Sequence, residues 1–303
     1  MTPQGAAMTS PTLAARPADA SPLPAALKMG AVRLRVRDAA RSLAFYTGTV
    51  GLTVLGTGTD GIIRLGAGDE VIVELEVSPE ARPRHPSTTG LFHVAILVPD
   101  RPALAVVARR LIAQKVRLGA SDHLVSEALY LDDPDGNGIE IYRDRRPDEW
   151  NWDGATIEMA TYRLDLRALI TDAPAGVPLD APMPEGTKVG HVHLQVGDLT
   201  AARRFYVDHL GFDVTTDRYS GALFVSAGRY HHHLGLNIWH SRGGGAAPAG
   251  SVGLVHFEVV LPDANAVEAL RARLVAGGES VAPIEGGFSI ADPWGTRLQL
   301  RAA

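Results

Sequence analysis

Cysteine is absent from all 303 residues, which excludes disulfides, zinc ribbons, iron–sulfur clusters and thiol nucleophiles. Any metal must therefore be held by nitrogen and oxygen. A dominant charge is lacking too: the formal net charge is −5 with Lys and Arg scattered, which argues against nucleic acid or an anionic membrane as partner. No run approaches the roughly 20 apolar residues of a membrane span. Residues 1–28, rich in Ala, Pro and Ser with no apolar core behind a basic start, are expected to be a disordered tail and not a signal peptide. A soluble cytoplasmic protein acting on small molecules is the expectation, with a homo-oligomer left open. The chain is long enough for two globular halves, and 46% hydrophobic content gives each a core.

The halves repeat. VRLRVRDAARSLAFYTGTVGL (32–52) returns as VHLQVGDLTAARRFYVDHLGF (192–212), so that Asp38 and Asp198, Tyr46 and Tyr206, and Gly51 and Gly211 are all offset by 160. A related unit follows each copy, since HVAILVPD (93–100) mirrors HFEVVLPD (256–263) and DPDGNGIEIY (133–142) mirrors DPWGTRLQLR (292–301). Four similar units are too few and too long for a solenoid. Within a unit, an alternating strand precedes an Asp at a helix N-cap, as at Asp198, then apolar residues at helical spacing, then three short strands with Gly-rich turns. The paired Phe-Tyr of each helix reads as core packing, and DPDGNG and DPWG as tight turns. Residues 144–187 lose the repeat and gain proline, so they read as a connector that Trp150 and Trp152 clamp to the body. This predicts one domain over 29–143 (units one and two) and another over 188–303 (units three and four).

Strand, helix and three strands, repeated with a ligand position on the first strand and another on the last, resembles the vicinal oxygen chelate superfamily over residues 30–143 and 188–303. The segments SDHLVSEALYLDDPDGNGIEIY and GALFVSAGRYHHHLGLNIW are similar to those of bacterial catechol 2,3-dioxygenase-like members. The resemblance implies an α+β fold of four βαβββ modules forming two half-barrel cups. It also places a first-strand ligand seven residues before the capping Asp, at Ala31, His93, His191 and His256. The last-strand position falls at Glu140 in the second unit and Gln299 in the fourth, with Glu74 and a position near Leu234 as counterparts. Units must pair to make a cup. Second with third gives His93, Glu140 and His191, whereas third with fourth lacks the anionic ligand and first with fourth begins with Ala31, which cannot bind a metal. Two imidazoles and one carboxylate suit Fe(II), with Mn(II) the second candidate, and leave coordination positions open. His256 reads as a fossil of the duplication.

By the same resemblance, His232, in the run His231 to His233 expected on a strand, is the acid and base, with an unperturbed pKa suited to proton transfer. Tyr130 is expected to hydrogen-bond a substrate oxygen, His123 to be a further donor oriented by Asp122, and His193 to share the face of His191. The implied activity is extradiol cleavage of a small aromatic diol with O2, giving a muconic semialdehyde. The rival readings are a glyoxalase-like metal-dependent isomerase or lyase, which usually has four protein ligands, and a binding protein without catalysis.

Overall fold

The computed structural model describes residues 22–303. In all four units the Asp that ends the first strand caps a helix: Asp38, Asp100, Asp198 and Asp263 accept from the backbone N–H of Arg41, Ala103, Ala201 and Ala266, each at 2.8 Å. Such a cap satisfies one of the N–H groups that a helix start leaves without a partner.

The first unit comprises β1 (Lys28–Val36), α1 (Ala39–Leu43), which widens into a π-helix, β2 (Thr53–Thr57), β3 (Ile63–Ala67) and β4 (Glu70–Val77). The second comprises β5 (Gly90–Leu97), α2 (Arg101–Ala113), β6 (Gly119–Asp122), β7 (Ser126–Asp132) and β8 (Gly138–Asp144). The connector adds β9 (Trp152–Asp153), β10 (Thr156–Ile157), β11 (Tyr162–Arg163) and α3 (Leu166–Thr171). The third unit has β12 (Lys188–Gln195), α4 (Leu199–Arg203), again widening into a π-helix, β13 (Asp213–Thr216), β14 (Ala222–Ser226) and β15 (Leu234–Asn237). The fourth has β16 (Gly253–Leu261), α5 (Ala264–Ala276), β17 (Val281–Ile284), β18 (Gly287–Ala291) and β19 (Arg297–Ala302).

Two large curled sheets result, and they do not follow the halves of the chain. One runs β17-β18-β19-β16-β1-β4-β3-β2, from the fourth and first units; the other runs β11-β6-β7-β8-β5-β12-β15-β14-β13, from the second and third with one connector strand. The halves 29–143 and 188–303 thus each give one unit to each sheet, and the second unit joins the third as the expected ligand set requires. The first strands are the pairing edges, β5 joining β12 and β1 joining β16 antiparallel, so each cup takes one unit from either half. Buried Tyr–Asp pairs then stitch sheet to sheet: Tyr46 donates to Asp133 and Tyr206 to Asp292, each at 3.0 Å. The Tyr of each Phe-Tyr pair thus adds an inter-unit hydrogen bond to its packing.

The tail expectation is corrected in part. Residues 1–21 lie outside the described residues, but Leu23 and Leu27 are buried, and Leu23 N–H donates to Gly211 O at 3.0 Å. Two leucines in an Ala/Pro-rich stretch thus cover apolar surface of the body.

Candidate metal centre

Strand register sets the site. β12 lies beside β5 with His191 opposite Ala95 and His193 opposite His93, while β8 runs parallel to β5 with Glu140 opposite Ala95. Glu140 and His191 therefore flank Ala95, whose methyl leaves the space between them free, and His93 lies two residues back on the same face. The three ligand atoms fall within 4.8 Å of one another. Nε2 of His93 lies 2.9 Å and Nε2 of His191 3.2 Å from the same Glu140 oxygen. All three side chains are buried.

The donors fit a dication. Cis ligands on an ion with bonds of about 2.1 Å are ~3.0 Å apart, close to the spacing found. Nε2 of His93 is near the carboxylate but has no hydrogen bond of acceptable direction, so it is a buried donor atom without a partner. Burial alone would raise the Glu140 carboxyl, but His191 and His93 beside it hold it well below the usual carboxylate range. His191 is pushed below its ordinary value by burial, against the pull of Glu140, and so offers a lone pair. One carboxylate and two imidazoles form a set with one negative charge.

The counterpart of Glu140 in the third unit is Gly235. It pairs with His193, which takes the strand position that Ala95 takes in the second unit. This moves the expected position from Leu234 by one residue. A Cβ at Gly235 would meet the His193 ring at 2.8 Å, so that ring fills the space of a fourth ligand. Asn237 holds His193 by donating Nδ2–H to its Nε2 at 3.0 Å, and burial followed by the nearby His93 depresses the His193 pKa far below normal.

A cavity of 280 Å³ opens over the three donors, walled by Phe92, Phe224, Trp239 and Met159, with His123, Tyr130, His193 and His232 among its polar lining. Tyr130 stands opposite Glu140 in the β7–β8 ladder. Its hydroxyl lies 2.7 Å from His123 Nε2, and burial followed by the Glu140 charge raises its pKa well above the usual phenol value. His123 Nδ1 lies 2.7 Å from the carbonyl of Ala160, which can only accept. A neutral His123 therefore carries its proton on Nδ1 and accepts the Tyr130 O–H at Nε2.

Three expectations about neighbours are corrected. Asp122 does not orient His123: its carboxylate bonds Leu124 N–H and Arg145, and the connector carbonyl of Ala160 orients the ring instead. The run His231 to His233 precedes β15 and does not lie on a strand. The bend turns His231 and His232 toward each other, with Nδ1 atoms 2.7 Å apart, while His233 bonds Ser226 away from the cavity. Nor is His232 unperturbed, because burial followed by His191 and His231 pushes its pKa well below normal. Sequence reasoning also missed the connector's part in the wall, for Met159 and Thr161 lie in a stretch without repeat or motif. Trp150 and Trp152 act as clamps: Trp150 donates to Val125 O at 3.2 Å and Trp152 lies 4.3 Å beneath the Arg229 guanidinium.

A family model described as "Glyoxalase/Bleomycin resistance protein/Dioxygenase superfamily" matches residues 28–141 and 188–300. The chain belongs to this superfamily. As a superfamily member it is 43% identical over 270 residues to catechol-2,3-dioxygenase of Bacillus subtilis (strain 168), covering 88% of this chain and 93% of that one. Its fold is similar to that of a candidate dioxygenase from Bacillus subtilis subsp. subtilis str. 168, with TM-score 0.66 and 15% identity over 93% of this chain and 86% of that one. Glyoxalase I from Zea mays is similar at TM-score 0.55 and 19% identity, over 91% and 92% of the two chains. At these identities the two structures show the vicinal oxygen chelate fold alone. Among the described residues of this superfamily member, no helix is long and apolar enough to cross a membrane.

Proposed function

We propose that the protein is an extradiol ring-cleaving dioxygenase for uncharged catechols, with a divalent ion, Fe(II) before Mn(II), held by His93, Glu140 and His191. One observation carries this reading: a facial set of two imidazoles and a carboxylate at the floor of an aromatic-walled cavity. The relative named as a catechol-2,3-dioxygenase supports it. When bound, the ion supplies a template and an electron path between diol and O2. The overall conversion places both oxygen atoms of O2 in the product and breaks the ring bond beside one hydroxyl, giving a muconic semialdehyde without an external reductant.

The protein's own groups handle binding and protons. Phe92, Phe224 and Trp239 offer ring faces to the substrate and exclude water. No Lys or Arg is among the described residues lining the cavity, so a carboxylate on the substrate would find no cation there. The cavity is at the small end of the roughly 300–1,000 Å³ usual for ligand sites, which suits one ring with short substituents. His232 takes a diol proton at Nε2. Tyr130, held protonated with its single O–H given to His123 Nε2, presents its oxygen lone pair as the acceptor for a substrate hydroxyl.

Elemental analysis of anaerobically purified protein, followed by a catechol panel under O2, tests the reading. The expected result is about one ion per chain and O2 uptake matching yellow semialdehyde formation, with catechol and methylcatechols preferred over carboxylated catechols. Bound metal with no O2 uptake, alongside turnover of a glutathione hemithioacetal, would replace this reading with the isomerase one.

A further inference from the structure

β8 carries more than a metal ligand. Alternation puts Glu140, Tyr142 and Asp144 on one face, and Asp144 closes a hydrogen-bonded chain that leads back to the cavity. Its Oδ1 lies 2.7 Å from His231 Nε2, and His231 Nδ1 lies 2.7 Å from His232 Nδ1. The other carboxylate oxygen accepts from Tyr230, whose hydroxyl is 2.7 Å from that of Tyr142. The His231 ring is fully buried, with Tyr230 at 4.1 Å and Trp150 at 5.3 Å between ring centroids. These two rings, 5.8 Å from each other, pack on adjacent sides of His231 and restrict its rotation.

We propose that Asp144 and His231 are positioning residues that fix the tautomer of His232. A carboxylate only accepts, so His231 carries its proton on Nε2. A neutral His231 ring then has only a lone pair at Nδ1, and His232 must donate Nδ1–H to it. Nε2 of His232 is thereby left as an acceptor on a ring that lines the cavity. In the Nε2–H tautomer the same ring would present a donor to a diol hydroxyl and would be unable to take its proton. The consequence for turnover rests on the dioxygenase reading; the hydrogen-bond chain does not.

The test uses the full chain, metal-free and labelled with 15N-histidine, because two-bond 15N–1H couplings report each ring tautomer without turnover. The expected result is Nδ1–H for His232 and Nε2–H for His231, with His232 released to Nε2–H or to an average in Asp144→Ala and His231→Ala. His231→Ala breaks the link without touching the Asp144–Tyr230 bond, which separates positioning from folding. An Nε2–H His232 in the unmutated protein, or a ring still fixed as Nδ1–H in both variants, overturns the inference. With catechol and O2, both variants should lower kcat by ~10–100-fold, the usual cost of losing a partner behind a ligand or active group, with KM little changed. Should the unmutated protein turn over no catechol, the dioxygenase reading fails while the tautomers still decide the inference.

Discussion

The two cups share a scaffold and differ in what sits at matching positions. In the cup of units two and three, the first strands bear His93 and His191, the last strands Glu140 and Gly235, and the intervening positions Ala95 and His193. The same registers in the cup of units one and four bear His256 and Ala31, Gln299 and Glu74, and Glu258 and Arg33. That second set has donors, but its carboxylates already have cations. Arg33 lies 2.8 Å and Arg64 3.2 Å from Glu74, and Arg301 lies 3.0 Å from Glu258. Among the described residues, His256 Nδ1 lies 3.4 Å from Gln299 Nε2. The lesson is electrostatic: a carboxylate flanked by imidazoles is free to attract a dication, whereas an arginine in the adjacent row both occupies the carboxylate and repels the ion.

The sharpest way to break this comparison is Glu140→Ala, which should abolish metal retention through desalting, a loss beyond the ~10–100-fold that a lost supporting partner costs. His256→Ala should leave metal content intact; equal losses, measured by elemental analysis, would erase the distinction between the cups. Next comes His232→Ala, expected to keep the ion and lower kcat by ~10²–10⁴. An unchanged steady-state rate would reduce His232 to packing.

Two smaller effects sharpen the other side. Burial, followed by Arg33, Arg301 and Arg297, pushes the His256 pKa down to about 4 from 6.5. The unfolded chain therefore binds a proton that the folded chain refuses, and stability present above pH 6.5 is lost as pH falls toward 4. His256→Gln should flatten that stretch of the denaturation midpoint against pH, by about 3 kcal/mol at most. An unaltered slope would place the acid sensitivity elsewhere. Smallest is Arg33→Ala, expected to cost ~1 kcal/mol because Arg64 still pairs with Glu74 and the guanidinium is partly solvated. Urea titration reads this, and metal content should not change.

The repeat was legible because each unit prints the same grammar of strand, capping Asp, helix and Gly turn, and all four caps form as that grammar requires. His93, Glu140 and His191 were legible together because ligand chemistry selects among unit pairings: the second with the third supplies two imidazoles and a carboxylate, whereas the third with the fourth and the first with the fourth do not. Contiguity in the chain says nothing about which first strands pair, and the sheets join units across the two halves. The setting of His232 was not legible. A run of three histidines reads as a strand until a bend turns two of them together, and Asp144 belongs to the site only once β8 is known to continue four residues past Glu140. Ala160 was hidden because a backbone carbonyl carries no signature in side-chain sequence.

The central claim is that one cup holds a single dication and the other holds none. Crystals soaked in Mn(II) and measured for anomalous scattering test it most directly. The account predicts one peak per chain, shared by His93 Nε2, Glu140 Oε2 and His191 Nε2. A peak at His256 and Glu74, or none between the two middle units, would contradict it.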